Sequence, residues 1–298
     1  MRAIARADIA VHGVCGAGLA LCAGALAAGG GYAAIWTASA AAAALYAAAV
    51  LRRPLRRMRL AREGIPASWR EVLIREVRFY RGLDGPGRAR FERDLRWFLD
   101  EHPVEGVGGV RVTDELRALV GAGAAILLHG QPEWELPRGR AILLYPGSFG
   151  EDFRCTPGGA FDGQTVGQGP VILARDAVRE GWRRPGESSN VVLHEFAHLL
   201  DEKGGGPNGV PRTLARGAVG EWLALIRAEM ERVVRGRSML RPYAAENEAE
   251  FFAVAVEYFF GQPRRLRGRH PELYGALARF FGQDPAGGPP GRAVSRGG

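Results

Sequence analysis

Residues 190–201 read Asn-Val-Val-Leu-His-Glu-Phe-Ala-His-Leu-Leu-Asp, a His-Glu-x-x-His pattern inside an apolar run. In a helix, His194 and His198 stand one turn apart, so both imidazoles leave the same face. Two neutral imidazoles at that spacing suit a single Zn²⁺. Glu195, beside the first of them, is placed to accept a proton from a water activated there. The flanks agree with a helix: Ser188 and Ser189 are suitable N-caps, and Gly204, Gly205 and Gly206 end the segment. A plain structural helix could also hold two satisfied histidines and a surface glutamate, but the surrounding apolar residues make the metal reading the stronger one.

Catalytic zinc usually takes three protein ligands. The other histidines are weak candidates. His12 lies in an uncharged stretch, His102 and His129 sit beside turns, and His270 precedes a proline. Each reads as an ordinary surface or capping histidine. Residues 243–260 are a better source. Read as one helix, they align Glu246, Glu250, Ala253 and Glu257 on one face, with Tyr243 at its start. A carboxylate embedded among Phe and Val must be paired or metal-bound. Glu246 and Glu248 lie at the polar helix start, where acidic residues already favour the dipole. Glu250 is followed by apolar neighbours, and Glu257 could be a ligand or the acceptor that orients a histidine.

The chain has 298 residues and a net charge of +8, yet its positive charge is concentrated in Arg52, Arg53, Arg56, Arg57, Arg59 and Arg62. That cluster follows residues 9–51, which contain no Asp, Glu, Lys or Arg. The uncharged stretch is long enough for two short membrane helices, residues 9–28 and 32–51, joined at Gly29, Gly30 and Gly31. Arginines on both sides predict an inner-membrane hairpin with the catalytic domain in the cytoplasm. Its Ala and Gly content is a weak driver of insertion, which leaves an Ala-rich helical hairpin on a cytoplasmic, soluble protein as the alternative. Basic residues beside an apolar segment suit an anionic lipid surface. Neither zinc-finger spacing nor an aromatic-basic motif is present, so no nucleic-acid partner is expected. Cys15, Cys22 and Cys155 form no disulfide framework, in keeping with a reducing compartment.

Beyond residue 64 the composition is that of a globular domain. Apolar periodicity predicts helices over residues 69–80, 88–99, 114–128, 214–234, 243–260 and 271–281, with Thr113 as an N-cap. Short β-branched or apolar runs predict strands at 104–112, 141–145 and 171–174, with a turn-rich region at 153–169. The expected organisation is therefore an apolar hairpin and basic linker over 1–64, a globular domain of helices and short strands over 65–285, and a disordered Gly/Pro/Arg tail over 286–298.

The order of these motifs resembles the Mlc titration factor A family of zinc-dependent peptidases. The likeness rests on His194-Glu-Phe-Ala-His198-x-Leu-Asp201, on Tyr243-Ala-Ala-Glu-Asn-Glu-Ala-Glu250-Phe-Phe-Ala-Val, and on Glu257-Tyr-Phe-Phe. Leu144-Tyr-Pro-Gly147 and His270-Pro-Glu-Leu-Tyr274 add to it, and together the motifs cover residues 69–285. The resemblance implies one Zn²⁺ per chain held by His194, His198 and Glu250. It also implies Glu195 as catalytic base and Tyr243 as a group that polarises the carbonyl or stabilises the oxyanion. The implied fold is an α+β zincin related to the anthrax lethal factor catalytic domain. The implied activity is aminopeptidase-like peptide hydrolysis. One family member binds the glucose repressor Mlc, so a transcriptional repressor is the alternative partner, with zinc then structural.

Overall fold

A computed structural model describes residues 16, 32–150, 152, 154–155, 159–165, 167, 169–184, 189–201 and 208–287. The chain divides into two units, Met1–Gly64 and Ile65–Gly298. The first contains helix α1, Tyr32–Glu63. The helix does not stop before the arginine cluster. It runs through Arg52 to Arg62 with Pro54 inside it, because alanine and arginine are both strong helix formers. Among the described residues no helix is long and apolar enough to cross a membrane. The expected span at 32–51 is thus the first part of a longer helix that exposes Trp36 and Leu45, and the expected span at 9–28 lies outside the described residues apart from Gly16.

The second unit is a mixed α+β assembly, mostly helical. Its helices are α2 (Ala67–Glu76), α3 (Arg78–Arg81), α4 (Gly85–Glu101), α5 (Asp114–Leu128), α6 (Arg175–Arg183), α7 (Val191–Asp201), α8 (Val219–Val234), α9 (Glu248–Gly261), α10 (Pro263–Arg269) and α11 (Pro271–Phe281). Among the described residues four strands form one sheet: β1 (Val104–Gly106), β2 (Ile142–Tyr145), β3 (Gly163–Thr165) and β4 (Val171–Ala174), in the order β1-β2-β4-β3. The first two pairings are parallel, and β3 runs antiparallel to β4 with Gln164 opposite Ile172. That last strand occupies the edge of the sheet.

Helix α5 is the centre of the core. Thr113 caps it by accepting a hydrogen bond from the Leu116 N–H at 3.3 Å. From Ala118 to Leu128 every residue is buried. Its small residues set how near other helices come: a Cβ on Gly121 would meet Leu95 of α4 at 2.8 Å, and one on Gly123 would meet Val192 of α7 at 2.5 Å.

Several expected boundaries move. The helix expected over 69–80 breaks at Val77, whose extended backbone separates α2 from α3. The helix expected over 88–99 begins earlier, at Gly85, because Asp84 caps it and Pro86 fits its first turn. The stretch 243–260 is not one helix. Pro242–Ala245 is a 3₁₀ turn, and Asn247 caps the true helix by accepting from the Glu250 N–H at 2.9 Å. Glu246 and Tyr243 therefore precede the helix rather than share its face. The described chain also continues past 285: Ala286 is buried and its N–H donates to the Tyr274 hydroxyl at 2.9 Å.

Of the spare histidines, His12 lies outside the described residues, and His102, His129 and His270 are buried rather than on the surface. His102 stacks on Phe98 and places Nδ1 3.2 Å from the Arg140 carbonyl. His270 is buried with Nδ1 2.6 Å from Glu229, and its Nε2 accepts from the Met239 N–H. His129 is fully buried, edge-on to Phe79, with neither ring nitrogen hydrogen-bonded among the described residues. Burial, helped by Arg90 and Arg93 and opposed by Asp84, holds its pKa down to about 4. The unfolded chain therefore binds more protons than the folded one between pH 6.5 and 4. The stability contributed by neutral His129 is present above pH 6.5 and is lost as pH falls toward 4. Urea titrations should show the wild type losing about 2 kcal/mol more than His129→Leu between pH 7 and pH 5. Equal losses would mean that His129 titrates normally in the fold.

Candidate metal centre

Helix α7 carries the His-Glu-x-x-His residues, and all of it is buried. Its cap is Asn190, whose side-chain oxygen accepts from the Leu193 N–H at 3.1 Å while its amide donates to the Gly181 carbonyl. Of the two expected caps, Ser188 lies outside the described residues. Ser189 instead donates its hydroxyl to Glu257 Oε2 at 2.8 Å.

His194, His198 and Glu250 converge. His194 Nε2 lies 3.0 Å from Glu250 Oε2, His198 Nε2 lies 3.5 Å from Glu250 Oε1, and the two Nε2 atoms are 3.3 Å apart. One ligand-type atom from each residue falls within 4.8 Å of the others, an arrangement compatible with a metal site. Glu257, one of the two glutamates left open above, sits on the other side of the ring. Its Oε1 is 2.8 Å from His194 Nδ1.

The electrostatics follow from this crowding. Burial works against a charged His194, but hydrogen bonds with Glu250 and Glu257 outweigh it and raise the imidazole to about 10. Burial likewise opposes ionisation of Glu257, but His194 and Arg241 override it and lower the carboxyl to about 2. The Glu250 carboxyl is also held well below its usual range: the two histidines overcome its burial.

Glu195 is buried beside these groups. Its Oε2 accepts from the Thr165 hydroxyl at 2.9 Å. Burial raises its pKa, against the pull of His194, His198 and Thr165. Strand β3 can lie over it only because position 163 is glycine: a Cβ there would stand 2.7 Å from Glu195 Oε1. Tyr243 projects from the 3₁₀ turn with its ring 6.1 Å from that of His194. It remains 40 % exposed, and burial together with Glu250 and Glu246 pushes its hydroxyl pKa upward.

His194, Glu195, His198, Tyr243 and Glu250 all line one cavity of about 720 Å³. Its remaining wall includes Gly163, Thr165 and Arg241, with Glu246, Asn247 and Glu248 on the acidic side. Sequence reading missed Thr165, Ser189 and Arg241. None belongs to a recognisable local motif, since each reaches its partner across 16 or more residues of chain.

The glucose-regulated metallo-peptidase M90 family matches residues 52–282. The chain belongs to this family. One relative, Mlc titration factor A of Yersinia pestis, is 39 % identical over 241 residues, covering 74 % of this chain and 85 % of the relative. Mlc titration factor A of Yersinia pseudotuberculosis matches to the same extent. An uncharacterized protein of Synechocystis is 29 % identical over 244 residues, covering 77 % of this chain and 89 % of its own. The M90 match begins at residue 52, within the arginine-bearing part of α1 rather than after it.

The donor set fits a divalent metal. Glu257 can accept a hydrogen bond from the Nδ1–H of His194, so that in the neutral, metal-binding form of the ring the Nε2 lone pair faces Glu250 and His198. Two imidazole nitrogens and one carboxylate are the donors that catalytic zinc sites use. The two glutamates should therefore behave differently in metal analysis of purified protein. Glu250→Ala should lose the bound metal, whereas Glu257→Gln should keep it with roughly 10- to 100-fold weaker affinity. Loss confined to the Glu257 variant would reverse these roles.

Proposed function

We propose that this M90 protein is a zinc-dependent peptidase. The observation that carries the reading is the convergence of His194, His198 and Glu250 beside buried Glu195 in a single cavity. These three side chains would hold the metal. Bound zinc would supply an activated water and polarise the scissile carbonyl. Glu195, held by Thr165, accepts the proton from the attacking water and returns it to the leaving amine. The Tyr243 hydroxyl, kept protonated, donates to the oxygen on which negative charge develops. Both residues border the same cavity.

The substrate side of the reading rests on β3. It is an edge strand and lines the cavity through Gly163, Gln164 and Thr165. An extended peptide can add to such an edge through backbone hydrogen bonds, bringing its scissile carbonyl to the metal side. Glu246 and Glu248, also in the lining, give the cavity an acidic character suited to a free α-ammonium group, which favours aminopeptidase-like cleavage. This is the zincin manner of hydrolysis, and the lethal factor likeness belongs to the same proposal.

A second reading has its own support. The Yersinia relatives are named for titrating Mlc. On that reading the chain binds a transcriptional repressor and zinc holds the fold together. Glu195→Gln separates the two, because it leaves the histidines and Glu250 in place. The variant should retain metal and lose hydrolysis of unblocked peptides by a factor on the order of 10³ or more. Cleavage at the wild-type rate would remove Glu195 from the mechanism. Regulation in cells that survives this variant would favour the binding reading.

Tyr243→Phe tests the other catalytic assignment. It should leave metal content and KM near wild type and lower kcat by about 10²-fold, as loss of one oxyanion donor does. An unchanged kcat would make Tyr243 a packing residue of the 3₁₀ turn.

A further inference from the structure

Behind the metal centre lies a second cavity of about 900 Å³. Its inner wall is apolar and aromatic, with buried Ile126, Trp182 and Leu193 and half-buried Phe79, Tyr258 and Phe260. Its outer wall is cationic: Arg78, Arg81, Arg264 and Arg265 line it and are exposed. Arg241 lines both this cavity and the first.

The polar groups here are mostly donors. Arg78 and Arg264 make no ion pair among the described residues. Arg81 is spent on the carbonyls of Ile74 and Arg75, and Arg265 donates to Gln262, so neither positive charge meets a carboxylate. The two acidic residues of the lining are already engaged, Glu76 with Arg75 at 2.7 Å and Glu257 with Arg241 and His194. Trp182 lines the inner wall and is more than nine-tenths buried, with its indole nitrogen closed off from the cavity.

A cavity with uncompensated guanidinium groups at its mouth and an aromatic inner wall selects for a particular ligand. The anion must carry more than one negative charge to use several arginines, and phosphate matches the guanidinium fork. Its body must be flat and apolar to lie among Phe79, Trp182, Tyr258 and Phe260. We propose that this second cavity binds a small phosphate monoester with an aromatic body. The site is separate from the proposed metal centre, and its test does not depend on peptidase activity.

The experiment is calorimetric titration of the full metal-loaded chain with phenyl phosphate, inorganic phosphate and phenol. Phenyl phosphate should bind saturably at one site, at least about 10-fold more tightly than inorganic phosphate, with phenol undetectable. The doubly substituted Arg78→Ser/Arg264→Ser chain should weaken phenyl phosphate by about 10-fold or more, since both positions are exposed and line this cavity but not the first. Its thermal unfolding should match wild type. Two outcomes overturn the proposal. One is phenyl phosphate binding no more tightly than inorganic phosphate. The other is undiminished affinity in the double arginine variant, which would locate the binding at the metal centre instead.

Discussion

The buried carboxylate of Glu257 ties the proposed catalytic apparatus together. A carboxylate with its side chain 5 % exposed is tolerable only if its charge is neutralised and its lone pairs are filled. Both conditions are met by groups from separate segments. Arg241 grips it with both terminal nitrogens, Ser189 donates its hydroxyl, the Asn190 backbone N–H donates at 2.7 Å, and His194 faces it through Nδ1. One side chain on α9 thus fixes the start of α7, the segment leading into the 3₁₀ turn, and the ring orientation of a candidate ligand. With the Nδ1 side occupied, Nε2 is the nitrogen turned toward Glu250. Removing one partner of such a network leaves a buried charge uncompensated, typically at a cost of about 3–5 kcal/mol.

This division of labour explains why both Glu250 and Glu257 occur on a helix otherwise filled with Phe, Val and Ala. Seven residues are nearly two helical turns, so both carboxylates leave α9 toward α7. They meet opposite sides of the same imidazole. Spacing alone makes them look equivalent as ligand candidates. The difference arises from Arg241 and Ser189, which reach only Glu257.

Local chemistry was readable along much of the chain. The i, i+4 histidines, the Thr113 cap, the strand at Val171–Ala174 and the helix Pro271–Phe281 depend on short-range periodicity and on residues with strong positional preferences. Reading failed where a cap or a distant partner decided the outcome. Asn247 starts α9 by binding the Glu250 N–H, which turns a seemingly continuous helix into a 3₁₀ turn and a helix and carries Tyr243 off the helical face. His102 and His129 resemble surface histidines beside turns, yet tertiary packing buries both. The N-terminal alanine-rich stretch misled in the other direction. Lack of charge suggested a membrane span ending at the arginines, whereas helix propensity carries α1 straight through them.

The closest packing around α7 involves residues with no side chain at all. On one side Gly123 of α5 gives Val192 room, and on another Gly163 of β3 leaves space for Val191 and Glu195. Neither glycine adopts the left-handed backbone that makes a glycine conspicuous, so neither announces itself as a turn. Their importance is steric. The helix bearing the two histidines lies between a helix and an edge strand that both approach to within the space of a missing methyl group. That confinement limits the rotamers of Glu195 and keeps its carboxylate against Thr165. The same closeness puts β3, the last strand of the sheet, along the cavity that holds the histidines, so one glycine serves both the placement of the proposed base and the access proposed for an extended substrate. The constraint belongs to the pair of surfaces and is absent from either stretch of sequence alone.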